Sequence, residues 1–75
     1  MKFIQANNAF QSTSDKIAIQ VITDTDATLT YCLMPGLDTW AAWDEKLTAG
    51  NTTVVANIPV GLYLKLDQDC YISER

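Results

Sequence analysis

The residues best suited to chemistry in this chain are two aspartate pairs, two cysteines and two tryptophans. Asp24-Thr25-Asp26 and Asp67-Gln68-Asp69 each hold two carboxylates two positions apart, a spacing at which oxygen ligands can converge on a hard cation such as calcium. Calcium takes about six or more oxygens, and neither triplet belongs to a loop with a central glycine and a closing glutamate. Both are therefore read as turns, where aspartate side chains satisfy nearby backbone donors. Cys32 and Cys70 are separated by 37 intervening residues, with no C-x-x-C spacing, and are read as two reduced, half-buried thiols. The chain has no histidine, which excludes Ser-His-Asp, Cys-His and His-rich zinc chemistry within one copy. Carboxylates of glycosidase type need a cleft with a separation of roughly 5 to 10 Å, and a ligand pocket of usual size would take up most of so small a core. The expectation is a protein without catalytic activity, cofactor or metal.

The 75 residues hold one domain, and 48% hydrophobic against 19% charged residues is the composition of a chain that folds. A domain this small buries only about 60% of the surface its unfolded form exposes, so association with other subunits is a natural source of stability. Nine acidic residues against five scattered basic ones give a net charge of −4. Without a basic stripe, neither nucleic acid nor an anionic membrane is an expected partner. The start, MKFIQANNAF, has too short an apolar run for a signal peptide, and no run reaches the roughly 18 residues of a spanning helix. A soluble product of the cytoplasm is the corresponding expectation.

Period-two patterning dominates the chain. Asp15 to Thr23 sets Ile17, Ile19 and Val21 on one face, and Ala27 to Leu33 aligns Leu29, Tyr31 and Leu33. With Asp24-Thr25-Asp26 between them, the two segments read as an antiparallel hairpin. Met34-Pro35-Gly36 breaks the pattern. Residues 52 to 58 read as a strand with Val54, Ala56 and Ile58 on one face, before Pro59 and Gly61 interrupt pairing. Leu62, Leu64 and Leu66 then alternate as core with Tyr63 and Lys65, and Cys70 to Ser73 closes the chain as a short strand. Phe3 to Gln5 adds an edge strand, and residues 1–12 are a candidate N-terminal arm. These spacings predict an all-β domain over 1–75, a small antiparallel β-sandwich or flattened barrel of six to seven short strands.

The stretch 38–50 supports two readings. As a helix, Asp38 is the N-cap, Trp40, Trp43 and Leu47 share a face, and Gly50 lies just past the end. As a strand, Trp40 and Trp43 point to opposite faces before a turn through Asp44-Glu45-Lys46. The strand is preferred because every neighbouring segment is β, with a short helix at 38–49 as the alternative. On the strand reading Trp40 is expected inside and Trp43 outside, as an aromatic anchor for a partner. Tyr63 and Tyr71 are further contact candidates, joined by Phe3 and Phe10 if the N-terminal arm reaches a neighbour.

Trp40 to Leu66 carries a resemblance. An aromatic strand, the turn Leu47-Thr48-Ala49-Gly50, a valine-rich strand ending at Ile58-Pro59, and the run Gly61-Leu62-Tyr63-Leu64-Lys65-Leu66 are similar to the "LTAG" turn, valine-rich strand and "G-x-Y-x-[KR]-[LV]" strand of small β-sandwich virion proteins of tailed bacteriophages. Those are capsid-decoration and tail-associated modules. The resemblance covers the second half of the chain and, more loosely, Asp15 to Leu33. It implies a structural component of a virion, made in the host cytoplasm. Such a component acts by self-association or by docking on other virion proteins through a sheet edge and exposed aromatics, as a homo-oligomer or bound to a lattice. It carries no catalytic or ligand residues across. A second reading is a small acidic phage inhibitor that plugs a host nucleic-acid-binding protein by charge complementarity. A third is a sugar-binding module with Trp43 as a stacking platform.

Overall fold

A computed structural model describes residues 1–34, 36 and 39–75. The chain runs through eight strands: β1 (Lys2–Ile4), β2 (Phe10–Gln11), β3 (Ile17–Val21), β4 (Ala27–Cys32), β5 (Ala41–Leu47), β6 (Thr52–Val55), β7 (Tyr63–Leu66) and β8 (Cys70–Glu74). They form two antiparallel sheets of four strands. Sheet I has the order β1-β8-β3-β6 and sheet II the order β2-β7-β4-β5. The all-β sandwich expected from the alternation is what the chain forms, with eight strands rather than six or seven and without closure into a barrel.

The pairings are nested. β4 pairs with β5, β3 with β6, β2 with β7 and β1 with β8, as if one long hairpin had been folded double. That hairpin is rolled up so that β8 also lies against β3 and β7 also lies against β4. Eight strands in this order are a jelly roll. Among the described strands only β4 and β5 follow one another within a sheet; every other step crosses between layers. The expected β3–β4 hairpin is therefore replaced by a crossover. Alternation fixes which face of a strand is buried but does not say which strand lies beside it.

Each layer supplies one face of the core. Ile17, Ile19 and Val21 of β3, with Cys70 and Ile72 of β8, face inward from sheet I, against Leu29, Leu64 and Leu66 of sheet II. Ser12, 1% exposed, is the buried polar residue of this interior; its hydroxyl donates to the Pro59 carbonyl at 2.7 Å and accepts from the Leu62 N–H at 3.2 Å. Among the described residues no buried side-chain polar atom lacks a partner.

The loop after β6 departs from simple alternation. Val55 and Ile58 are both buried although three residues apart, because Asn57 between them takes a left-handed conformation, φ 62°. The strand expected over 52–58 thus ends at Val55, and Val54 is left outside.

The described part of 38–49 is strand, not helix. β5 runs through Asp44-Glu45-Lys46 instead of turning there, and it absorbs these residues in a register shift: Thr28 faces Lys46, whereas Thr30 faces Ala42. The proposed N-cap, Asp38, lies outside the described residues. Trp40 and Trp43 exchange their expected roles. Trp43 packs on the core and meets Tyr31 edge to face, with centroids 5.3 Å apart. Trp40 lies on the outward side of sheet II under Lys65, whose Nζ is 4.3 Å from the ring centroid. The shift adds two residues to β5 and so keeps its parity: Trp43 lies on the same side as the buried Leu47, and Trp40 falls on the other.

Candidate interaction surface

The strands of sheet I direct every second side chain away from the core. On the outward side, Val54, Ala18 and Ser73 stand in one row across β6, β3 and β8. Thr52, Gln20, Tyr71 and Phe3 form the next row, which reaches β1. The only charged residues in these four strands, Lys2 and Glu74, have the register of the inward face, opposite Ile72 and Ile17. No charged residue of these four strands thus has the outward register, although Arg75, just past β8, lines the groove on this face.

This face is also where exposed apolar groups gather. Phe3, Val54 and Tyr71 are 48%, 53% and 38% exposed, and Met1 and Arg75 border a groove there with Ala18, Gln20 and Ser73. Phe3 and Tyr71 are held edge to face, their centroids 5.6 Å apart. Aromatic rings fixed in this way offer contact area at little cost in side-chain freedom.

The other contact candidates are placed elsewhere. Tyr63 is half-buried on the outward side of sheet II, opposite Cys32. Trp43 is half-buried against Tyr31, so it is not the exposed anchor expected of it. Phe10, 9% exposed, belongs to the core rather than to an arm, because β2 pairs it with Leu64. Residues 1–12 contribute a strand to each sheet instead of leaving the body. Sequence reasoning missed Val54 and Met1. The patterned run 52–58 grouped Val54 with Ile58 on one face, whereas Ile58 is buried and Val54 is exposed.

The aspartate triplets lie in turns at one end of the sandwich, and three of their four carboxylates accept backbone N–H groups. Asp26 accepts from the Ala49 N–H at 2.8 Å, Asp67 from Thr28 at 2.7 Å and Asp69 from Ala6 at 2.8 Å. Three bonds thus stitch two turns to neighbouring segments. The Ala49 N–H, helped by Lys46 at 3.5 Å, holds the Asp26 carboxyl below the usual range against a smaller opposing effect of desolvation. Among the described residues no three acidic or thiol side chains come together to hold a metal ion.

Both cysteines are free and buried. Cys70 faces the core and donates to the Gln68 carbonyl at 3.2 Å. Burial, followed by the neighbouring charges of Asp69 and Asp67, pushes its thiol up to about 11.

Comparison with protein families, with curated proteins and with solved structures returns no match. The surface is therefore read from this chain's own residues.

Proposed function

We propose that the chain is a non-catalytic structural component of a tailed-phage particle, a jelly-roll module that docks on other virion proteins through the outward face of sheet I. The observation that carries this reading is the joint exposure of Phe3, Tyr71 and Val54 on one face of sheet I. A small apolar patch of this kind suits protein contact better than substrate turnover. The motifs behind the virion resemblance have structural roles here: Leu47 to Gly50 is the β5–β6 turn, with Gly50 at φ 75°, and Gly61 to Leu66 leads into and forms β7. Jelly rolls serve in viral capsids and in lectins, so topology alone does not choose between them. Repetition on a symmetric lattice would turn a modest contact into lasting occupancy.

The test is gradient sedimentation of an infected-cell lysate. The protein is expected to migrate with particles, and Tyr71→Ser is expected to release it. Protein found entirely at the top of the gradient would overturn the reading. The acidic inhibitor is the second reading, favoured by the neighbouring Asp26, Asp44 and Glu45 beside β5. It requires a free protein that captures a basic host target, with binding that weakens steeply in salt.

A further inference from the structure

Of the four edge strands, three carry features known to block pairing with another sheet. β1 has three residues including Lys2, β2 has two residues, and β5 carries Asp44, Glu45 and Lys46 at a register shift. β6 is different. Thr52-Thr53-Val54-Val55 has no charge, no proline and no bulge, and every residue is β-branched.

The hydrogen bonds show which of its backbone groups are free to pair. Odd-numbered residues of β3 turn toward β6: Val21 N–H donates to the Asn51 carbonyl at 3.3 Å, and Gly50 N–H donates to Val21 at 3.0 Å. Even-numbered residues flanking β3 turn toward β8, where Arg75 N–H donates to Lys16 at 2.9 Å and Ile22 N–H donates to Asp69 at 3.2 Å. Since Ile19 stands opposite Thr53 and Ile17 opposite Val55, Thr53 and Val55 direct their backbone groups to β3. Thr52 and Val54 direct theirs outward along the free edge.

We propose that this edge pairs antiparallel with β6 of a second copy of the chain, Thr52 opposite Val54, joining two copies of sheet I into one continuous sheet. A twofold axis passing between the two Thr53 residues puts them in the close, non-hydrogen-bonded position. It also lets each flanking Thr52 and Val54 pair exchange both of its hydrogen bonds. Charge favours a second copy as the occupant. Two chains of net charge −4 repel, yet β6 brings no charged side chain to the axis, whereas the β5 edge would oppose Asp44 and Glu45 to their like. Pairing also makes the two outward faces continuous. The contact is short beside the roughly 1,600 Å² of a stable complex, so it is concentration-dependent in solution.

This pairing rests on the edge alone. A strictly monomeric chain that still binds particles would sink the pairing and leave the docking, and a dimer absent from particles would do the reverse.

The test is amide hydrogen exchange of the full chain from about 10 μM to about 1 mM. Exchange at Thr52 and Val54 is expected to slow with concentration, while the outward amides of β5 are unchanged. Val54→Pro removes only an outward donor and is compatible with an edge strand; it is expected to weaken the dimer at least about tenfold. Val54→Lys, which keeps the backbone intact and sets like charges near the axis, is expected to do the same. Concentration-independent exchange at Thr52 and Val54 in the unaltered chain, or dimers of undiminished strength in Val54→Lys, would overturn the proposal.

Discussion

Phe3 and Tyr71 stand directly opposite each other on β1 and β8, with their rings edge to face and 5.6 Å between centroids, on a side of the sheet that faces solvent. The pair joins the first strand to the last. Such a contact contributes about 1 kcal/mol, whereas the rings' exposed area matters only when a partner covers it. Phe3→Ser and Tyr71→Ser are accordingly expected to lower stability by about 1 kcal/mol or less in urea titration while abolishing particle binding. Loss of folding in either variant would assign the rings to the core instead.

The two tryptophans are expected to separate in the same measurement. Trp43 packs on the core against Tyr31, so Trp43→Ala should cost about 2 kcal/mol or more. Trp40 contributes a partly exposed cation–π contact with Lys65, so Trp40→Ala should cost about 1 kcal/mol or less. The reverse order would contradict the register of β5.

Ser12→Ala removes a buried hydroxyl that serves both the Pro59 carbonyl and the Leu62 N–H. A loss of about 1 to 3 kcal/mol is expected, a sizeable share for a domain whose total is roughly 4 to 11 kcal/mol at typical stability per residue. An unchanged denaturation midpoint would show that this bonding is dispensable.

Asn57 holds a positive φ that brings Val55 and Ile58 to the same core. Asn57→Gly should be tolerated, and Asn57→Val should cost about 1 to 2 kcal/mol. Equal stabilities would refute the left-handed turn.

Cys70 supplies an alkaline signature. Its thiol is raised from 9.0 to about 11 in the folded chain, so on unfolding it loses its proton at lower pH than in the fold. Its contribution to stability is constant below about pH 9 and falls as pH rises from 9 toward 11. Thermal melts across that window should show the decline, and Cys70→Ala should flatten it. In the folded chain at neutral pH this thiol should resist alkylation.

The alternation of Ile17, Ile19 and Val21, and of Leu62, Leu64 and Leu66, made two core strands legible in the sequence, since burial on one face imposes period two. The partners of those strands were not legible. β3 lies between β6 and β8, and that choice depends on contacts between residues far apart in the chain. The sides of Trp40 and Trp43 were legible too, since Trp43 shares the parity of the buried Leu47, whereas the left-handed Asn57, which lets Val55 and Ile58 share one core, left no mark in the alternation. Of the surface, Phe3 and Tyr71 could be named beforehand as large aromatics on strands. Their meeting could not, because it needs β1 beside β8.

The nested pairing makes completion of the body depend on the last of its eight strands. β8 lies inside sheet I between β1 and β3, and the contact of Lys2 with Ile72 spans almost the whole chain. While the C-terminal segment is still within the ribosome, β1 has no neighbour and the isoleucines of β3 lack one flank. The nascent chain therefore cannot finish folding from its N-terminus onward. Closure of long separations is slow, so the interval before β8 docks is when these apolar strands are most open to wrong partners.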